Sequence, residues 1–273
     1  MNKICLDRTG LVITKKCDLK CKLCAGYIPY YDNPQDMDAD KVLKLINKYF
    51  CLVEHVHDFS VLGGEPLIHP DLDEILGAVL NYGEYIDRIL VDTSATRIFN
   101  QATIDVMKES KYKDKILITI SNYGELSKNC DELVKQLESE SIPFRVFKYS
   151  GEKMHCDGWV DFGDNSRKFF TQQETDEHAK ECVYSRWHYN FYIQDGYIYP
   201  CGRCAWRIEN NVYTPTGKEK IDILDESITD EQKVELMGAL YNSPSTQGCA
   251  YCNGCKSTSE RFPPAEQLND EAK

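Results

Sequence analysis

Cys17, Cys21 and Cys24, in the stretch CDLKCKLC, form a C-x3-C-x2-C array too short to serve separate sites, so three thiolates must converge on one small object. Thiolates so gathered bind metal. A structural zinc site is normally closed by a fourth protein ligand, whereas a reactive site keeps a coordination position open. An iron–sulfur cube held by three cysteines leaves one iron free to bind something else. A second group lies far downstream, where Cys182 and Cys201 bracket an aromatic stretch, Cys204 makes a C-x2-C with Cys201, and Cys249, Cys252 and Cys255 form a C-x2-C-x2-C run. Thirteen cysteines in a chain with no signal peptide point to metal or redox chemistry in a reducing, cytoplasmic setting rather than to disulfides.

The elements that position these residues read as alternating strands and helices. Leu11, Val12, Ile13 and Thr14 form a buried strand that delivers the chain into the cysteine loop. Apolar residues Val42, Leu43, Leu45 and Ile46 recur at helical spacing. A second short strand, 59–62, breaks off at Gly63-Gly64-Glu65-Pro66, which continues neither a strand nor a helix. Asp71 can cap a helix carrying Leu72, Ile75, Leu76, Val79 and Leu80. Strands over 88–93, 116–121 and 143–149 alternate with helices over 100–111 and 131–139. Such alternation builds a parallel sheet with right-handed crossovers and places ligands at the carboxyl ends of its strands. The three cysteines, the GGEP loop and the polar residues after strands three and four then share one mouth.

After residue 150 the alternation stops. Asn190 to Pro200 reads as a hairpin around Gln194-Asp195-Gly196, and 229–241 as a helix with Val234, Leu236, Met237 and Leu240 inward. The expected fold class is α/β, a partial (β/α)6 parallel barrel followed by a small module of one β-hairpin and a helix. The expected division is a barrel over 1–180, the module over 181–258, and a polar tail over 259–273 that is extended or loosely docked. The 273 residues carry a net charge of −12, which argues against a nonspecific grip on nucleic acid or an anionic membrane surface. No run has the length of a membrane span. A small molecule or a peptide suits this surface better.

With CDLKCKLC after strand one and LGGEP after strand two, the chain resembles the radical S-adenosylmethionine (SAM) superfamily over roughly residues 8–150. The resemblance implies a 4Fe–4S cluster held by Cys17, Cys21 and Cys24, with SAM on its open iron and an electron donor such as flavodoxin or ferredoxin. It implies that Gly63, Gly64, Glu65 and Pro66 receive the SAM amino group and that Leu23, where many members carry an aromatic residue, packs near adenine. Ser121 and Asn122 match the position that reaches the ribose and carboxylate. The second half resembles the twitch module, a shortened SPASM extension. That likeness implies an auxiliary 4Fe–4S cluster on Cys182, Cys201, Cys249 and Cys252, with Cys255 or Cys204 as replacements for Cys252. A zinc site made by the same residues is the alternative.

Fewer signals surround the remaining candidates. His155 and Cys156 lie where barrel hands over to module, and either can exchange a proton or hydrogen with a substrate; Arg145 can face the barrel interior and bind a polar substrate. Arg203 and Arg207 can steer substrate or tune the auxiliary cluster. Cys5, Cys51 and Cys130 read as core or incidental, and His55 and His57 as surface or capping residues before strand two. The resemblance extends to aminocyclitol dehydrogenases, which implies oxidation or epimerisation of a carbinol carbon in a sugar, polyol or cyclitol. Peptide maturation ranks second, because little chain precedes the first strand.

Overall fold

The structure is a computed structural model that describes residues 3–186 and 191–269. Strands β1 (Ile4–Thr14), β2 (Val53–Gly63), β3 (Ile86–Thr93), β4 (Ile116–Asn122) and β5 (Phe144–Lys148) pair in that order, every pair parallel. Helices α1 (Ala39–Leu52), α2 (Leu72–Asn81), α3 (Gln101–Glu109) and α4 (Cys130–Ser139) make the crossovers. Each starts where the sequence supplies a boundary. Asp38 caps α1 by accepting from Lys41 N–H, and Asn100 caps α3 by accepting from Thr103 N–H, which satisfies donors a helix N-terminus leaves open. Asp71 precedes α2 but its side chain makes no cap bond.

Strand alternation sorts the sheet's two faces. Leu11, Ile13, Phe59, Val61, Ile89, Val91, Ile118 and Ile120 join one core with Leu45, Ile75, Leu76, Leu133 and Leu137 of the helices. Each fully buried aliphatic side chain contributes about 1.5–3 kcal/mol, so this face holds the sheet to its helical layer. Asp58, Ser60, Arg88, Asp92, Thr119 and Arg145 alternate with these residues and so occupy the opposite, inner face. The architecture is the α/β parallel arrangement anticipated from the period.

The other edge of the sheet departs from a simple barrel-plus-module picture. Between β5 and the hairpin lie α5 (Gln172–Lys180) and α6 (Val183–Arg186). Helix α5 has a full capping box, Thr171 with Glu174, that the sequence reading passed over. Strand β6 (Tyr192–Gln194) then pairs parallel with β1, through Gly10 opposite Tyr192 and Leu11 opposite Ile193. It is a sixth parallel strand, supplied by the hairpin. Strands β7 (Tyr197–Tyr199) and β8 (Ile221–Asp222) follow antiparallel, giving the order β5-β4-β3-β2-β1-β6-β7-β8. The hairpin turns where expected, with Asp195 and Gly196 both at positive φ; Asn190 lies outside the described residues.

Helix α7 (Gly202–Glu209) follows the hairpin and was not anticipated, whereas α8 (Asp230–Tyr241) was. His55 and His57 lie within β2 rather than before it, beside Asp87 at 3.1 Å and Asp58 at 2.9 Å. Cys5 and Cys51 are exposed, so only Cys130 of that trio is buried. Of the extended or loosely docked tail expected, the structure shows a docked one, held more firmly than its composition suggests: Lys22 N–H donates to the Glu266 carbonyl at 2.7 Å and Leu268 N–H to the Lys20 carbonyl at 2.8 Å, with Ala265 buried beneath. Its proline-rich, polar composition hid this, because backbone pairing leaves no mark on side-chain pattern. Among the described residues no helix is long and apolar enough to cross a membrane.

Candidate functional site

Cys17, Cys21 and Cys24 gather at the carboxyl end of β1 in one small cluster with Leu19 and Ala265, flanked by Tyr123, Leu126 and Trp159. The loop after β2 is laced to them through backbone. Gly64 N–H donates to the Thr14 carbonyl at 2.8 Å and Glu65 N–H to the Lys16 carbonyl at 2.9 Å. Side chains would prevent this approach: a Cβ on Gly63 would stand 2.5 Å from the Thr14 carbonyl oxygen, and one on Gly64 would run into the Lys16 carbonyl while reaching 3.0 Å from Cys17 Cβ. The two glycines are therefore required by proximity.

Glu65 ties this loop to the next one. Its fully buried carboxylate accepts from Thr93 Oγ1 at 2.7 Å, Ser94 N–H at 2.8 Å, Ser94 Oγ at 2.5 Å and Leu67 N–H at 3.3 Å. Burial pushes its pKa up, and the Ser94 and Thr93 donors oppose that. Asp18, inside the cysteine loop, makes a bidentate pair with Arg97 at 2.8 and 2.9 Å and accepts from Thr96 Oγ1 at 2.9 Å. Loops after β1, β2 and β3 thus form one braced rim.

The donor set fits a thiolate-held cluster. Burial drives the Cys17 thiol up to about 12 and the Cys21 thiol up to about 11, and raises Cys24 as well. Bare thiolates are disfavoured at such a site, and a bound metal cation is what deprotonates them. Gln267 of the docked tail adds a contact that the sequence did not signal, its Nε2 donating to Cys21 Sγ at 3.4 Å while its Oε1 accepts from Lys20 N–H at 2.7 Å. Among the described residues no three Cys, His, Asp or Glu side chains converge tightly enough for a single ion. A four-iron cube asks for a wider spread of sulfurs.

Leu23 is half-buried in the cysteine loop, and Ser121 and Asn122 end β4 on the same rim. The Asn122 Oδ1 accepts from Gly124 N–H at 2.8 Å, which closes its own turn. Next to them Tyr123, unremarked in the sequence, is half-buried against Tyr149 and Trp159 and lies within electrostatic reach of Cys21 and Cys24.

On the inner face, Arg145 Nε donates to Thr119 Oγ1 at 3.3 Å, and its guanidinium lies 4.9 Å from the Phe147 ring centre. His155 stacks on the same ring at 4.2 Å and meets Tyr149 edge-on at 5.4 Å. The structure so brings Arg145 and His155 to one aromatic residue. Cys156 follows at φ 55° and is exposed. Asp92, absent from the sequence-based candidates, lies between Ser60 and Thr119 and near Arg145; burial pushes its pKa up to about 6 against these hydrogen bonds and that positive charge.

The second cysteine group also converges. Cys182, Cys201, Cys204, Cys249 and Cys252 line one cavity of about 60 Å³, and Cys255 is not among its lining residues. Cys204 Sγ stands 3.5 Å from Cys201 Sγ, which lowers the Cys201 pKa and raises that of Cys204. Among the described residues two polar atoms here are buried without a hydrogen-bond partner, Nη1 of Arg207, which lines the cavity, and the hydroxyl of Tyr213, which lies beside its lining residue Gly248. Gly248 belongs to the same cradle: a Cβ there would meet Cys204 Sγ at 2.5 Å and the Tyr213 hydroxyl at 2.6 Å. Orphaned donors around convergent thiols fit a group rich in sulfur acceptors.

Comparison with known proteins agrees with this geometry. Residues 11–135 match the Radical SAM superfamily. The chain is similar to the GTP 3',8-cyclase of Helicobacter pylori, 28% identical over 87 residues that make up 31% of this chain and 26% of that protein. It therefore spans about a quarter of the length of the curated relatives it matches. Among solved structures, that of BtrN in complex with AdoMet and 2-DOIA is similar over 98% of this chain and 100% of that one, at 14% identity and a TM-score of 0.54. Native anSMEcpe with bound AdoMet and Cp18Cys peptide is similar over 95% of this chain and 92% of that one, at 13% identity and a TM-score of 0.51. These likenesses show a shared fold. The superfamily match implies a 4Fe–4S cluster and AdoMet.

Proposed function

We propose that this chain, whose residues 11–135 match the Radical SAM superfamily, is a radical SAM oxidoreductase that oxidises or epimerises a carbinol carbon in a sugar, polyol or aminocyclitol such as 2-deoxy-scyllo-inosamine. The observation that carries this reading is the pairing of two convergent cysteine groups, with a polar inner face beside the first of them. Cys17, Cys21 and Cys24 hold the SAM-binding cluster, and Gly63, Gly64, Glu65, Pro66, Leu23, Ser121 and Asn122 surround SAM. Cys182, Cys201, Cys249 and Cys252 hold an auxiliary cluster, with Cys204 closer at hand than Cys255 because it shares the cavity. Bound there, these groups supply a 5'-deoxyadenosyl radical, fed by a flavodoxin- or ferredoxin-type donor, and an acceptor for one electron.

The chain's own residues do the rest. Arg145, Asp92, Ser60 and Thr119 present donors and acceptors on one face and hold the substrate hydroxyls. Hydrogen abstraction from the carbinol carbon leaves a radical that becomes a ketone by losing its hydroxyl proton and one electron; His155 takes that proton. Epimerisation instead requires return of a hydrogen atom, for which the exposed Cys156 is available and the buried Cys204 is not.

A peptide substrate is the second reading, favoured by the similarity to the peptide-bound anSMEcpe structure. One anaerobic experiment separates them. The protein is reconstituted with iron and sulfide, reduced and given SAM with a carbinol-deuterated cyclitol or a cysteine-containing peptide. Deuterium appearing in 5'-deoxyadenosine from the cyclitol supports the first reading, and turnover of the peptide alone replaces it with the second. No 5'-deoxyadenosine from filled, reduced protein defeats both.

A further inference from the structure

Arg203 and Arg207 stand one helical turn apart on α7, and both are buried, Arg207 at 0% and Arg203 at 5% exposure. A guanidinium is kept out of water only where a counter-charge or a full set of acceptors replaces its hydration. Among the described residues Arg207 donates to neutral partners only: its Nε to Asn165 Oδ1 at 2.7 Å, and its Nη2 to the Tyr27 hydroxyl and the Phe162 carbonyl, each at 3.1 Å. Its Nη1 has none. Arg203 makes one long contact, Nη1 to the Ala25 carbonyl at 3.5 Å, and lies over the rings of Tyr184 at 3.8 Å and Phe162 at 4.7 Å. Among the described residues neither arginine is paired with a carboxylate.

What surrounds them instead is sulfur. Cys201, Cys252 and Cys182 act electrostatically on Arg203, and Cys252 and Cys204 on Arg207. All of these cysteines line the same cavity as the arginines. Such burial also excludes the role of steering a diffusing substrate, which requires charge that solvent can reach.

We propose that Arg203 and Arg207 are the counter-ions of the auxiliary cluster and raise its reduction potential. The inference rests on the reading of this cavity as a four-thiolate iron–sulfur site. Each electron added to such a cluster increases its negative charge, so fixed positive charges in a desolvated setting stabilise the reduced form more than the oxidised one. The electron comes from the substrate carbon radical, which loses its hydroxyl proton and becomes a carbonyl as the cluster is reduced by one electron. Without the arginines that transfer has less driving force, and the radical's other exit, recovery of a hydrogen atom, gains. The two buried guanidinium groups so bias the enzyme toward oxidation.

The test uses the full chain with Cys17, Cys21 and Cys24 all changed to alanine, so that only the second group can hold iron. Reconstituted protein should contain about four irons, and its reduction is followed by electron paramagnetic resonance during a potentiometric titration. R203M and R207M should each lower the equilibrium constant for reduction at least tenfold, a shift of about 59 mV to more negative potential for a one-electron couple. R203K and R207K, which keep the charge, should recover most of it. Should R207M fail to fold for want of its hydrogen bonds, R203M, with one long hydrogen bond and two ring contacts to lose, decides the matter. Absence of iron in the triple-alanine parent overturns the auxiliary-cluster reading itself. A full iron count with unshifted potentials in the methionine variants overturns the role of the arginines alone.

Discussion

Asp92 gives the fold a titration that can be isolated. Its carboxyl on the inner face accepts from Thr119 and Ser60 and feels Arg145, but burial outweighs these and the negative Asp58 adds to it, so the pKa rises from 3.8 to about 6. In this window the folded chain binds more protons at Asp92 than the unfolded chain does. Its contribution to stability is therefore intact below the unfolded pKa and is lost as pH climbs through the folded one. About two pH units at about 1.36 kcal/mol each make about 3 kcal/mol, trimmed to about 2–3 kcal/mol because the group is half-buried rather than sealed. D92N removes the titration and keeps the shape. Urea unfolding of the apo-protein between about pH 4 and pH 7 should show the variant gaining that amount on the parent as pH rises. Asp18, Asp36 and Asp58 are held low by partners and slope the other way, but they are common to both proteins and cancel in the difference. A difference constant with pH to within about 0.5 kcal/mol would refute the reasoning.

Glu65→Ala removes the acceptor for the Thr93 hydroxyl and the Ser94 N–H and hydroxyl together. At about 1–3 kcal/mol for each buried donor left unpaired, a loss of about 3–9 kcal/mol is expected in urea unfolding of the apo-protein, and a loss below about 1 kcal/mol would show the carboxylate is not the tie between these loops. Gly64→Ala sets a methyl group against the Lys16 carbonyl, an overpacking worth about 1–3 kcal/mol. The loop should retreat from Cys17, so that a still cooperatively folded variant no longer changes its cluster spectrum on addition of SAM; an unaltered response would refute the proximity argument.

The period of apolar runs carried the parallel strands and their helices, because burial on the helical face leaves a two-residue and a 3.6-residue signature that side chains alone record. The rim was legible for a local reason too: Gly63-Gly64-Glu65-Pro66 continues neither a strand nor a helix, so a loop had to follow β2, though what it approaches was not encoded there. Helix α7 was not. Its GRCAWRIE stretch turns Arg203 and Arg207 inward, and a reading by hydrophobic period takes arginine for the solvent side. Asp92 was overlooked for a related cause, since it lies inside the strand over 88–93, whereas polar site residues were expected in the loop after it. Gln267 reaches Cys21 from 246 residues away through a backbone bridge, and no local pattern encodes that pairing.

Tyr192 shows how the two cysteine groups are held in register. It opens β6, opposite Gly10 of β1, and its ring fills the space between the loops that carry them. A Cβ on Gly26, two residues past Cys24, would stand 3.4 Å from its hydroxyl, and a Cβ on Gly202, next to Cys201, would stand 3.1 Å from its ring. Both glycines are thus flush against one side chain. Because strand side chains alternate between faces, a slip of β6 by one residue would turn Tyr192 away and replace it with Ile193, whose place is in the helical core. The register is guarded on that side by the cost of exposing Ile193 and on the other by Lys15, which reaches from the end of β1 to Asp195 at 2.6 Å and Glu209 at 3.2 Å. The distance between the two groups is consequently a property of the continuous sheet, set by the pairing of β1 with β6 rather than by a flexible connection.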